Sequence, residues 1–202
     1  MIGTLLKNYP HPLMWNEELE FGYLKSDGYD YGQEYWQKYQ GYVNDLGKQL
    51  SDARANFVKK HLSDITKLCD VGIGSGQFVD TVKCHGFYVN PYAVEWLKEH
   101  GYFANPYESD FSALSFWDVL EHIEDPSVLL MRTKNVFVSV PIHDDLETCL
   151  ASKHLRPGEH IWHFTNEGIK NFMALQGFKL VDQSDFESKL GRESIISYFF
   201  NK

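Results

Sequence analysis

From residue 66 onward, short apolar runs alternate with stretches whose apolar residues recur at helical spacing. The runs near 67–71, 85–89, 102–104, 113–118 and 134–140 predict strands, and the stretches near 77–83, 91–100 and 126–132 predict helices. Such alternation builds an α/β fold, a mostly parallel sheet with helices on both faces. In the 91–100 helix, Val94 and Leu97 face inward, while Glu95, Lys98 and Glu99 face water. A helix near 166–176 has Thr165 as N-cap, Glu167 in its first turn and Gly177 just beyond its end. Two more apolar runs follow, from Phe178 and from Ser194 to Phe200; a loop without a helix joins them, so they pair antiparallel at the sheet edge. The first 45 residues have another texture. Tyr9, Trp15, Phe21, Tyr23, Tyr29, Tyr31, Tyr35, Trp36, Tyr39 and Tyr42 crowd together between glycines. Residues 1–45 therefore read as a loop-rich aromatic cap with a short helix near 33–42, and 46–202 as one compact unit beginning with a helix near 48–62. The aromatics either seal a sheet edge or, through Tyr29, Tyr31, Tyr35 or Tyr39, line a substrate pocket.

At 202 residues, 43% of them hydrophobic, the chain suits a single domain with a continuous core. No apolar run approaches the ~20 residues that span a bilayer, and nothing at the N-terminus has the form of a signal peptide. Cys69, Cys84 and Cys149 are an odd set, which points to reduced structural thiols and a cytoplasmic setting. A net charge of −9 without a Lys/Arg cluster disfavours a long nucleic acid as partner. A small molecule, a nucleotide or a short nucleic-acid end held through a metal stays compatible, and the oligomeric state is open.

The chemistry starts at Leu68-Cys-Asp-Val-Gly-Ile-Gly-Ser-Gly76, an apolar strand that runs into alternating glycines. Glycines without Cβ atoms let the chain turn sharply and lay its backbone against a ligand at the head of the next helix. The spacing is G-x-G-x-G, with Asp70 two residues before the first glycine. Gly86-Phe-Tyr-Val-Asn-Pro91, Phe116-Trp-Asp-Val-Leu-Glu-His-Ile-Glu-Asp-Pro126, Val136-Phe-Val-Ser-Val-Pro141 and His154-Leu-Arg-Pro-Gly-Glu-His-Ile-Trp-His-Phe-Thr165 follow. From about Lys67 to the C-terminus this succession resembles the Rossmann-like (class I) S-adenosylmethionine-dependent methyltransferases, in the broad group that includes the ubiquinone-biosynthesis O-methyltransferases. The resemblance implies a seven-stranded, mostly parallel sheet closed by a C-terminal antiparallel hairpin strand.

It also implies S-adenosylmethionine (AdoMet) as cofactor. The backbone of Gly72, Gly74 and Gly76 would meet the methionyl part, with Asp70 organising the loop. The acid expected at the end of the second strand, where a carboxylate can accept from both ribose hydroxyls, is replaced by Tyr88, with Asn90 two residues on. Exchanging that charge-assisted contact for a neutral one costs about 1–3 kcal/mol. The departure is compatible with a weakened or shifted ribose contact, a related ligand, or a non-catalytic binding protein on the same fold. Pro91, Tyr107 and Phe111 are available to stack on adenine, and Ser109 or Asp110 to meet its amine.

Asp118, Glu121 and His122 lie together at the end of the fourth predicted strand. Two related groups, metal-assisted quinone-precursor O-methyltransferases and small-RNA 3′-end 2′-O-methyltransferases, are similar at this point. The resemblance implies a divalent metal held by Asp118, Glu121, His122 and His160, a donor set suited to Mg²⁺, Mn²⁺ or Zn²⁺. Without a metal, the Glu and His serve the hydrogen bonding of the loop. His122 first and His160 second are candidate general bases, with His154 and His163 behind them. His11, His61, His85, His100 and His143 read as surface or packing residues. No Asn-Pro-Pro-Tyr tetrapeptide follows the fourth strand, which disfavours N-methylation of DNA bases. The sequence thus predicts methyl transfer to a small or medium polar acceptor, at oxygen; the alternatives are metal-assisted 2′-O-methylation of an RNA end or nucleotide, and ligand binding without catalysis.

Overall fold

The computed structural model describes residues 7–8, 13–25, 28 and 31–202. Its central strand, β4 (Leu68–Val71), is buried along its whole length and pairs in parallel with β5 (His85–Phe87) on one side and β6 (Ala113–Trp117) on the other. Beyond β5 the sheet ends in a single bridge, Gly86 to Phe103, where the sequence predicts a third strand. On the other side, β6 pairs in parallel with the long β7 (Asn135–His143), which pairs antiparallel with β10 (Ile195–Asn201). The last strand, β9 (Lys179–Ser184), is antiparallel to β10. These six ribbons, with the bridge at Phe103 in the place of a seventh, correspond to the predicted mostly parallel sheet with its C-terminal hairpin. The hairpin connection is not a plain loop: it carries one helical turn, α8 (Phe186–Lys189).

Side-chain alternation assigns the two faces. Leu114, Phe116, Val136, Val138 and Val140 pack with α5 (Ser127–Leu130) and α7 (Asn166–Leu175). Ala113, Trp117 and Phe137 turn to the opposite core, against α2 (Asp45–His61), α3 (Gln77–Val82) and α4 (Pro91–Glu99). The caps are legible in the chain. Asn44 accepts from the Gly47 N–H at 2.9 Å, and Thr165 from the Gly168 N–H at 2.9 Å. In α4 the inward residues are Ala93 and Leu97 rather than Val94 and Leu97.

The N-terminal segment differs most from expectation. The helix α1 (Gln33–Gln40) lies where the sequence predicts one, but β1 (Lys7–Asn8), β2 (Leu13–Asn16) and β3 (Phe21–Leu24) form an antiparallel ribbon. That ribbon joins the main sheet through β8 (Trp162–Thr165), which pairs antiparallel with β3 and in parallel with Ile142 and His143 at the tail of β7. Phe21 lies fully buried against Trp162, Phe164 and Phe172. These strands are too short for alternation to reveal, and the burial of Phe21 depends on a partner more than a hundred residues away. A further helix, α6 (Leu146–Leu150), is closed by a capping box between Asp145 and Thr148. No described helix is long and apolar enough to cross a membrane.

Candidate active site

A cavity of about 560 Å³ opens above the carboxyl ends of β4 and β6, where ligands bind in open α/β sheets. Its floor is Asp70, Gly72, Ile73 and Gly74; its walls include Tyr88, Trp117, Asp118 and His122; Tyr31, Tyr35, Tyr39 and Tyr42 close one side. The glycine turn is left-handed at Gly72 (φ 77°), and a Cβ there would stand 2.5 Å from the Val119 side chain. Any larger residue would therefore push Val119 from its place. Gly76 differs from its predicted role. It is the left-handed N-cap of α3, faces the Trp96 ring and does not line the cavity.

Asp70 is buried, and its carboxylate accepts from the Ser115 hydroxyl at 2.6 Å. Burial raises its pKa to about 7, against the opposing pull of Ser115 and Arg54. Tyr88 does line the cavity, and burial raises the pKa of its phenol. Asn90 is a correction. It is fully buried, its amide N–H groups donate to the carbonyls of Tyr31 and Gly32, and its oxygen accepts from the N–H of Tyr92 and Ala93. With its hydrogen-bonding capacity consumed, it caps α4 and ties down the chain entering α1, and it is not available to a ribose. Asp110 is also a correction: it is 79% exposed, pairs with Arg132 at 3.1 Å and lies outside the cavity. Of the residues expected near adenine, Tyr107 lines the cavity, its ring 5.6 Å from that of Phe87, whereas Pro91, Ser109 and Phe111 do not. Tyr29 lies outside the described residues.

Asp118 has a left-handed backbone (φ 56°) and points into an ion cluster. It pairs with Arg54 at 3.4 Å and with Arg192. Both guanidiniums also hold Glu187, which accepts from Arg54 Nε and Nη2 at 2.8 Å each. Burial would raise the Glu187 carboxyl, but the two arginines override it and hold it down at about 2. Asp118 is thus committed to arginines and, contrary to expectation, does not join the metal-type cluster. Arg54, Glu187 and Arg192 were not predicted. Arg54 carried a signal, sitting one turn after Ser51 beside the face that buries Ala55 and Val58; Glu187 and Arg192 lie in a polar stretch where nothing marks them.

Glu121, His122 and His160 do come together, with one donor atom from each lying within 4.8 Å of the others. His122 Nδ1 lies 2.8 Å from the Glu159 carbonyl. A carbonyl only accepts, so Nδ1 carries the proton and Nε2 keeps its lone pair. Burial lowers the His122 pKa, so the imidazole is neutral near pH 7. Both Glu121 oxygens are buried without a hydrogen-bond partner, and burial, with Asp118 adding to it, raises that carboxyl well above its usual range. Orphaned buried carboxylates are rare, and two imidazoles beside one are a donor set that fits a divalent cation. His160 stands behind His122, ring centroids 4.7 Å apart, and does not line the cavity. Burial, followed by its neighbouring histidines, depresses it to about 2. It is therefore placed to support His122 or a metal rather than to take a proton from a substrate.

Residues 35–183 match the family described as methyltransferase domain. The chain belongs to this family. It is a class I, S-adenosylmethionine-dependent methyltransferase. No curated protein sequence matches the methyltransferase. Among solved structures it resembles the magnesium protoporphyrin IX methyltransferase of Synechocystis PCC 6803 with bound SAH, at 15% identity over 84% of this chain and 93% of that one, TM-score 0.58. It also resembles the 1,6-didemethyltoxoflavin N1-methyltransferase of Burkholderia thailandensis (13% identity, 84% of each chain, TM-score 0.57). A possible histamine N-methyltransferase of Thermotoga maritima is similar as well (16% identity, 83% of this chain and 99% of that one, TM-score 0.56). At these identities the likeness is one of fold.

Proposed function

We propose that this methyltransferase acts at an oxygen of a small or medium polar acceptor, with His122 as the group that receives the acceptor proton. One observation carries the reading. His122 lines the cavity, is neutral, and is held by the Glu159 carbonyl in the tautomer whose Nε2 can accept a proton. AdoMet supplies a methyl group already activated on sulfur, so the protein's tasks are alignment and proton removal. The main chain at Gly72 and Gly74 would meet the methionyl part, and Asp70 would hold that turn from below. Tyr88 would stand at the ribose edge, offering one hydroxyl in place of a carboxylate. Residues 1–45 would act as a cap, with Tyr31, Tyr35, Tyr39 and Tyr42 each packed on the next (centroids 5.0, 4.8 and 5.6 Å apart) along the side of the cavity. Substrates such as porphyrin or toxoflavin precursors, named for the structural neighbours, are of the size class intended.

A second reading is favoured by the orphaned Glu121 carboxylate. A divalent cation on Glu121, His122 and His160 would hold an acceptor hydroxyl and lower its pKa, as suits a ribose 2′-OH at an RNA end or on a nucleotide. Calorimetry with AdoMet alone, followed by methylation assays on hydroxyl and amine acceptors with and without chelator, tests both. AdoMet binding with turnover of hydroxyl acceptors and a ~10²–10⁴-fold lower kcat in His122→Gln is expected. Turnover untouched by His122→Gln would overturn the proton-acceptor role; loss with chelator, restored by Mg²⁺ or Mn²⁺, selects the second reading.

A further inference from the structure

Apart from the cavity, the tail of β7, the helix α6 and the strand β8 bring His143, Cys149 and His163 together, 6%, 0% and 2% exposed. One donor atom from each lies within 4.8 Å of the others, and none of the three lines the cavity. We propose that His143, Cys149 and His163 form a separate, structural zinc site.

Three observations carry this assignment. His143 Nε2 and His163 Nε2 are both buried without a hydrogen-bond partner. Each of these two rings also brings one nitrogen within 4.8 Å of the buried Cys149 sulfur, and a cation held among the three would give the buried donors a partner. The tautomer of His163 also suits a metal: the ring makes a hydrogen bond with the main chain of His160, so Nε2 is the nitrogen left open. Metal-binding histidines are oriented by such outer hydrogen bonds. Finally, a set of two imidazoles and a thiolate is borderline-soft, which selects Zn²⁺ over Mg²⁺ or Ca²⁺. Binding would release the Cys149 thiol proton to solvent as the sulfur–zinc bond forms. His154, whose Nε2 is also buried and unpartnered, acts electrostatically on both His143 and His163 and is a candidate for the fourth position.

The position explains what such an ion would do. Cys149 packs with Leu13, Trp15 and Leu24 of the N-terminal ribbon, and His163 pairs with Gly22 across β3 and β8. An ion here would clip β7, α6 and β8 together beneath that ribbon. It is distinct from the Glu121 cluster, which has no sulfur donor and adjoins the cavity.

Cobalt titration of the full chain, stripped by chelator dialysis, tests the assignment, because only a thiolate ligand gives cobalt an intense near-ultraviolet charge-transfer band. The wild type and Glu121→Gln are expected to develop that band together with tetrahedral visible bands, and to lose both on adding zinc. Cys149→Ser and His163→Gln are expected to lack it. Zinc is also expected to raise the melting temperature of the wild type and of Glu121→Gln, and to leave Cys149→Ser unmoved. Cobalt uptake by folded wild type without the charge-transfer band overturns the proposal, even if the Cys149 variant fails to fold. So does a band that persists in folded Cys149→Ser, since the thiolate would then be Cys69 or Cys84.

Discussion

Single residues in this site are tuned in opposite directions, and the signs are open to test. Glu187 titrates at about 2 in the fold against an ordinary 4.5, so folding favours its ionised form. Its contribution to stability is complete above pH 4.5 and is lost as the pH falls towards 2. Asp70 is raised to about 7 from 3.8, so folding favours its neutral form, and its contribution is present below pH 3.8 and lost as the pH rises to 7. Urea denaturation across pH is therefore expected to flatten between 4.5 and 2 in Glu187→Gln, and between 3.8 and 7 in Asp70→Asn. At neutral pH, Glu187→Gln is expected to cost about 3 kcal/mol, because two partly buried guanidiniums lose a shared, fully buried partner. Tyr88 supports a gain-of-binding prediction. If it stands at the ribose, Tyr88→Asp restores a two-acceptor group, and calorimetry is expected to find AdoMet bound roughly tenfold tighter, consistent with a charged hydrogen bond worth about 1–3 kcal/mol. Unchanged affinity would mean that the ribose lies elsewhere. Asp70, Gly72, Gly74 and Tyr88 could be placed from the chain because a turn between a strand and a helix is local. Asn90 and Asp110 could not, because whether a polar side chain meets a ligand, the backbone or water depends on what surrounds it.

At the scale of elements, the caps did most to make the sequence legible. Asn90 before Pro91 starts α4, and Thr165 with Glu167 starts α7, each through short-range bonds that need no tertiary partner. Asn90 does a second task that no local pattern encodes, since its amide also holds the carbonyls of Tyr31 and Gly32. Asn90→Ala is thus expected to cost more than the ~1 kcal/mol of a lost cap, and to weaken AdoMet binding by loosening the tyrosine side of the cavity. Asn90→Asp keeps the capping oxygen and removes the amide donors; chemical denaturation and calorimetry on both variants separate the two tasks. β8 shows the converse. Four residues long, it is too short for alternation to mark in the sequence, and it exists because the tail of β7 and the N-terminal ribbon flank it.

For the whole molecule, the decisive feature is a sheet whose parallel centre presents β4 and β6 side by side at one cavity. If His122 is the proton acceptor, its depressed pKa sets the pH profile: kcat is expected to hold through neutral pH and to fall only below the ordinary imidazole value of 6.5, as measured by steady-state rates under saturating AdoMet. An acid limb above 6.5 would point to another group. The alternation of apolar runs and helical stretches, the glycine turn and the helix caps made the α/β class and the β4–α3 turn legible from sequence alone, because each depends on neighbours within a few residues, while the strand count came from the family resemblance. Tertiary structure decided the rest. The pairing of Asp118 with Arg54 and Arg192, the orphaning of Glu121, the gathering of His143, Cys149 and His163, and the docking of the N-terminal ribbon on β8 all join segments far apart in the chain. Charge pairing and burial depend on distance in space, and a linear pattern carries that only where space and sequence run together.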